Sequence, residues 1–146
     1  MKKLLTILAI VLFVVVPMAA RDRVTTDVQE LPSSARELIT KYYAKVGVNH
    51  IKIDSKAFGR KEYDVILNNG TELDFNNDGD LKEIDCGRNA VPSGLVLKPI
   101  RDYVAKNFGG KKIVSMDIDS NSYEIELADG LDLKFDRSGK FLRIDD

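Results

Sequence analysis

The chain contains one cysteine, one histidine and no tryptophan in 146 residues. A single thiol excludes an internal disulfide and any Cys-rich zinc site, and a single imidazole excludes metal centres that need two histidines. An excess of either charge is missing too: 22 Lys plus Arg stand against 23 Asp plus Glu, a net charge of -1. That balance gives no general pull toward nucleic acid or anionic lipid. The length allows one compact unit or two small ones and excludes a multidomain enzyme. No motif places a Ser or Cys partner near His50, and Gly109-Gly110 closes a helix pattern where a phosphate loop would open one.

The long apolar run is N-terminal. Met1-Lys2-Lys3 is basic, Leu4 to Val16 is apolar except for Thr6, and Pro17-Met18-Ala19-Ala20 precedes the charged Arg21-Asp22-Arg23. This is the three-part layout of a secretory signal, with Met18 standing where a small residue is preferred. The run is shorter than the roughly 20 residues that cross a bilayer core. Cleavage after Ala20 is therefore the expectation, and no Cys follows the run to carry a lipid anchor. Without residues 1–20 the chain keeps 20 basic and 23 acidic residues, a net charge of -3. The expected location is periplasmic or secreted, with no membrane contact after cleavage. In such an oxidising compartment Cys86 is either buried, capped or paired with another chain, and burial is the usual state of a free Cys.

A register of sixty residues runs through the rest. Tyr63-Asp-Val-Ile-Leu67-Asn-Asn-Gly70-Thr-Glu-Leu73-Asp-Phe75 returns as Tyr123-Glu-Ile-Glu-Leu127-Ala-Asp-Gly130-Leu-Asp-Leu133-Lys-Phe135. The same offset relates Pro32-Ser33 to Pro92-Ser93, Tyr43 to Tyr103, Gly79 to Gly139, and Ile84-Asp85 to Ile144-Asp145. The expected organisation is a signal at 1–20, a flexible leader at 21–30, and one domain at 31–146 made of two repeats, 31–85 and 91–145.

Each repeat reads as one helix and four strands. Ala35, Leu38, Ile39, Tyr42, Tyr43 and Val46 form one helical stripe that Pro32 opens and Gly47 closes. Ile100, Tyr103, Val104 and Phe108 repeat the stripe behind Pro99, with a separate short turn at 93–97. Beyond each helix the period changes to two: Tyr63, Val65, Leu67 and Tyr123, Ile125, Leu127 alternate with mostly polar neighbours. Asn69-Gly70, Asp129-Gly130, Asp78-Gly79 and Ser138-Gly139 mark hairpin turns, so the strands run antiparallel. The fold class is α+β, two tandem α-β-β-β-β repeats with the helices packed on one face of an antiparallel sheet.

Two groups of polar residues are candidates for function. Asp74, Asn76, Asp78, Asp80 and Asp85 follow the oxygen-ligand spacing of an EF-hand loop, with Asp where a bidentate Glu is usual. That loop normally lies between helices, and here it lies between predicted strands, where a turn of Asn, Asp and Gly needs no metal. Asp117, Asp119, Glu124, Glu126 and Asp132, with the apolar Ile66, occupy outward strand positions and form a candidate partner-binding face. As a glycosidase pair these carboxylates would need a cleft that a two-layer domain of this size hardly offers. Catalytic residues and cofactors are expected to be none.

The order of elements and the recurrent pattern Tyr-x-Val/Ile-x-Leu, x-x-Gly, x-Leu-x-Phe, x-x-x-Gly, x-x-Ile-Asp resemble the PepSY-like, beta-lactamase-inhibitor-like family of exported bacterial proteins, over about residues 31–145. The resemblance implies a helix layer on a long antiparallel sheet, a periplasmic address and a non-enzymatic role. It implies binding or inhibition of secreted hydrolases by analogy, and transfers no site residue. The expected function is therefore a protein-binding module with an unknown partner in the cell envelope. The alternatives are a calcium- or small-ligand-binding envelope protein, or a structural envelope scaffold.

Overall fold

The structure, a computed structural model, describes residues 22–145, and the signal-like segment lies outside them. Helix α1 spans Ser33–Tyr43 and helix α2 spans Lys98–Asn107. Pro32 caps the first, and Pro99 sits in the first turn of the second, where a missing N–H costs nothing. Ala35, Ile39 and Tyr43 of α1 and Ile100 and Val104 of α2 are buried. A short 3-10 turn at Ser93–Leu95 precedes α2.

Nine strands follow the chain: β1 (Arg23–Thr25), β2 (Val48–Ser55), β3 (Lys61–Leu67), β4 (Glu72–Phe75), β5 (Leu81–Asp85), β6 (Ile113–Ile118), β7 (Ser122–Leu127), β8 (Asp132–Asp136) and β9 (Phe141–Asp145). They form one sheet in the order β1 to β9, each strand antiparallel to its neighbours. Helix α1 is followed by β2 to β5, and α2 by β6 to β9. Alternation sends Ile51, Ile53, Val65, Leu67, Leu73, Phe75, Ile84, Met116, Ile125, Leu127, Leu133 and Phe135 to one face, where they join the helix stripes in one core. Burial of each such side chain contributes about 1.5–3 kcal/mol.

The turns and helices lock together. Gly79 and Gly139 have φ of 83° and 84°, in the β4–β5 and β8–β9 turns. A Cβ on Gly79 would lie 2.6 Å from Pro32 Cβ, and one on Gly139 would lie 2.9 Å from Pro99 Cβ. Each turn thus sits against the start of a helix, and Ser34 Oγ donates a hydrogen bond to Asp78 O at 2.8 Å.

The leader departs from expectation. Residues 21–30 were expected to be flexible, yet Arg23–Thr25 pairs with Ile51 to Ile53 as the first strand. Asp27 then caps a 3-10 turn at Val28–Glu30 by accepting from Gln29 N at 2.9 Å, and Arg23 pairs with Glu30. The cause is the outer edge of β2, whose backbone groups need partners. A polar composition hides that requirement, because a three-residue edge strand needs no apolar pattern of its own.

Candidate functional site

The face of the sheet away from the helices carries a charged row. Cross-strand pairing aligns Lys52, Asp64, Asp74, Glu83, Asp117, Glu124, Lys134 and Arg143 on eight successive strands, β2 to β9. At the usual spacing between strands the five carboxylates span about 19 Å. A second row beside it reads His50, Ile66, Glu72, Asp85, Ser115, Glu126, Asp132 and Asp145. Ile66, Asp117, Glu124, Glu126 and Asp132 are therefore brought onto one face. Asp119 lies beyond the end of β6 in the β6–β7 turn, where its carbonyl accepts from Arg137 Nη1 at 3.1 Å.

The cations sit at the ends of the first row. Lys52 Nζ is 3.7 Å from Asp64, and Lys134 Nζ is 3.5 Å from Glu124 and 4.0 Å from Asp145. The middle three, Asp74, Glu83 and Asp117, have only like charges beside them in the row. Burial, then the negative charge of Asp64, pushes Asp74 up to about 6. Burial and then Asp117 push Glu83 up to about 7, and burial and then Glu124 raise Asp117. These groups are held in an environment that disfavours their charge, and a cationic partner laid across them would relieve it.

The EF-hand-like residues do not converge. Asn76 Oδ1 accepts from the backbone N–H of Asp78 and of Asp80, both at 2.9 Å, and Asn76 Nδ2 donates to Asp80 Oδ2 at 3.1 Å. Asp74 belongs to the open-face row, and Asp85 Oδ1 accepts from Gly87 N at 2.7 Å. Asp136 builds the corresponding turn sixty residues on, accepting from Ser138 N at 2.9 Å and Lys140 N at 3.0 Å. Among the described residues, no group of three or more His, Cys, Asp or Glu is arranged to hold a metal ion.

Cys86 is buried and free, with Sγ 3.5 Å from Tyr43 Oη. Burial pushes its thiol up, away from the reactive thiolate. His50 Nδ1 lies 2.9 Å from the Asn49 side chain.

Two features escaped the reading of the sequence. Glu83 was not singled out, because its place beside Asp117 depends on pairing between β5 and β6 across a long connection. Phe58 was the other. It stands fully exposed (99%) in the β2–β3 connection with φ 60° and ψ 28°, a left-handed conformation that bulky residues rarely adopt. Lys56, Arg60 and Lys61 flank it in the sequence, and with Glu62, Asn76, Asn77 and Asp78 they line a cleft of about 460 Å³. The signal was a Phe between Lys56-Ala57 and Gly59-Arg60, with no apolar neighbour at either period.

A family model of PepSY-like proteins, described as beta-lactamase-inhibitor-like, matches residues 61–143. The chain belongs to this family. Among solved structures, the PepSY-like chain is similar to a Bacteroides vulgatus ATCC 8482 protein provisionally described as periplasmic and of unknown function. The two share 40% identity and a TM-score of 0.82, over 86% of this chain and 100% of that one. A second protein from the same organism, provisionally described as periplasmic and assigned to the DUF2874 family, shares 33% identity and a TM-score of 0.80, over 88% of this chain and 99% of its own. A Bacteroides thetaiotaomicron protein, provisionally described as calcium-regulated and periplasmic, shares 29% identity and a TM-score of 0.79, over 86% and 97%. No curated protein matches. Among the described residues no helix is long and apolar enough to cross a membrane. The family and these relatives support a non-enzymatic envelope protein.

Proposed function

We propose that this PepSY-like protein is an exported binding module of the cell envelope, built from two copies of one helix-and-four-strand unit, that presents the open face of its sheet to a protein partner rich in basic residues. Inhibition of a secreted or periplasmic hydrolase is the form of that role which the family description favours. The observation that carries the reading is the row of five carboxylates from Asp64 to Glu124, cationic only at its ends. The row crosses five neighbouring strands, β3 to β7, which suits a broad contact surface. The cleft lined by Val91, Val96, Val104 and Ile113 lies apart from it, on the helix side.

The test is a crosslinked pull-down from envelope fractions with residues 21–146 as bait. A hydrolase held by the wild type at low salt, released as salt rises, and not held by the Glu124→Lys, Glu126→Lys variant supports the reading. Equal retention by both baits removes this face from consideration. Both positions are outward-facing and the ion pair of Glu124 with Lys134 is a surface one worth at most about 1 kcal/mol, so the melting temperature of the variant should fall only slightly.

The description of the B. thetaiotaomicron protein as calcium-regulated favours a second reading, in which calcium is the cation drawn to the row. It would be held loosely along the open face around Glu83 and Asp117, since the described residues form no metal cluster and Asn76 Oδ1 already accepts from two backbone N–H groups. Millimolar calcium should then raise the melting temperature of the wild type and leave that of Glu83→Gln unmoved. No change in either rejects it.

A further inference from the structure

Strand β9 closes the sheet, and no strand lies beyond it among the described residues. Its counterpart sixty residues earlier, β5, is an interior strand. There Glu83, Ile84 and Asp85 pair outward with Asp117, Met116 and Ser115 of β6. The inner neighbours correspond closely: Ile84 faces Leu73 as Ile144 faces Leu133, and Asp85 faces Glu72 as Asp145 faces Asp132. Even the irregularity repeats, between Asp74 and Phe75 on one side and Lys134 and Phe135 on the other. Only the outer neighbour differs, and the effect is large. Ile84 is fully buried, while Ile144 is 46% exposed and Leu142 beside it 49% exposed.

The edge also differs in charge. Where β5 carries Glu83 and Asp85, β9 carries Arg143 and Asp145 on either side of Ile144. A plus and a minus arranged about an apolar centre are complementary to their own copy turned by a half rotation. Pairing centred on Arg143 would instead set arginine against arginine.

We propose that β9 is a homodimer interface, in which two copies pair this strand antiparallel about Ile144 so that Ile144 meets Ile144 and each Arg143 faces Asp145 of the other copy. The joint has three residue pairs, as many as the β5–β6 joint inside the chain. It goes beyond the partner-binding reading and does not depend on it. The other edge, β1, is a poorer match, since Arg23 could answer Asp145 but β1 offers no acid to Arg143. Pairing of β9 with β1 would also run head to tail without closing. A three-pair ladder buries less than the roughly 1,200–2,000 Å² of a stable interface, so the dimer is reversible and concentration-dependent.

Sedimentation velocity on residues 21–146, over a concentration series reaching the millimolar range at physiological salt, tests this. The expected result is a weight-average mass that climbs from monomer toward dimer. Arg143→Asp sets Asp against Asp and Asp145→Arg sets Arg against Arg, so each variant alone should stay monomeric. An equimolar mixture of the two should regain the dimer, because every cross-copy pair is then of opposite sign. The ion pair within one chain, Arg143 Nε to Asp145 Oδ1 at 2.6 Å, stays broken in both variants, so only contact between copies explains rescue. A monomer at every concentration overturns the proposal. So does a dimer that survives both single substitutions, or open-ended growth that stops when Val24 in β1 is replaced by proline.

Discussion

The two halves use the same length of chain differently. From Tyr43 to Tyr63 the helix ends at once, β2 runs for eight residues, and a loop lifts Phe58 into solvent. From Tyr103 to Tyr123 the helix continues to Asn107, β6 has six residues, and the connection to β7 is a tight turn at Asp119 to Asn121. Both arrangements deliver a tyrosine near the start of the next strand into the same register with its phenylalanine partner, Tyr63 with Phe75 and Tyr123 with Phe135. The inward positions are held by packing, and the path between them is free to vary.

The helix tyrosines show the same contrast. Tyr43 is buried, with its hydroxyl against Cys86 in the segment that leads out of β5. Tyr103, with no strand beyond β9 among the described residues, stacks on Phe141 at 4.5 Å and meets Phe135 edge-on at 5.6 Å and Phe108 at 6.1 Å. Aromatic contacts in the second half stand in for the neighbour that the first half has.

Truncating the paired phenylalanines should break this equivalence most strongly. Phe75→Ala and Phe135→Ala should each cost about 3–5 kcal/mol in urea unfolding. Phe135→Ala should cost more, because it also removes the edge-on contacts with Tyr103 and Phe141. Equal costs would mean that the aromatic group contributes nothing beyond burial.

The turn glycines come next. Gly79→Ala and Gly139→Ala should destabilise by more than Gly70→Ala and Gly130→Ala. The latter pair meets nothing within 4 Å and bears only the left-handed strain of about 1–2 kcal/mol. Of the crowded pair, Gly79 should be the more sensitive, since its new methyl collides with both Ser34 and Pro32.

The charge row gives a smaller, pH-dependent effect confined to the first half and its junction with β6. Glu83 and Asp74 titrate near 7 and 6 in the folded chain, above their ordinary 4.5 and 3.8. Between those limits the folded state binds more protons than the unfolded state, so stability falls as pH rises through that window. Glu83→Gln should melt higher than the wild type at pH 8, with the gap closing as pH falls toward 4.5. A gap that is constant with pH would show that Glu83 is not the titrating group.

The smallest effect is expected at Phe58. Replacement by glycine relieves the left-handed backbone but loosens the unfolded chain, so stability should stay within about 1 kcal/mol of wild type. A large loss would mean that the exposed ring has a packing partner after all.

Much of this fold could be read in the residues, and for definite reasons. The stripe from Ala35 to Val46 and the alternation from Tyr63 to Leu67 each repeat one physical requirement several times, so one exception does not obscure them. Hairpin turns announced themselves through Gly70, Gly79, Gly130 and Gly139, each with positive φ. Alternation also assigned Asp117, Glu124, Glu126 and Asp132 to the outward face. It could not say that Asp74, Glu83 and Asp117 share one row. That alignment depends on the irregular step between Asp74 and Phe75 and on pairing of β5 with β6 across the whole of α2. Strand β1 and the pose of Phe58 were hidden for the opposite reason, since each rests on a few residues with no periodicity to amplify them.

The order of the sheet has a consequence for how the molecule is made. Every strand pairs only with the strands next to it in the chain. Within β2 to β5 and within β6 to β9 the sheet can therefore grow one hairpin at a time, from local contacts that cost little loop-closure entropy and favour rapid folding. In a chain released N-terminus first, an early strand would wait for a partner across a helix at only two joints, β1 with β2 and β5 with β6, and elsewhere each new strand would cover at once the exposed edge left by the one before.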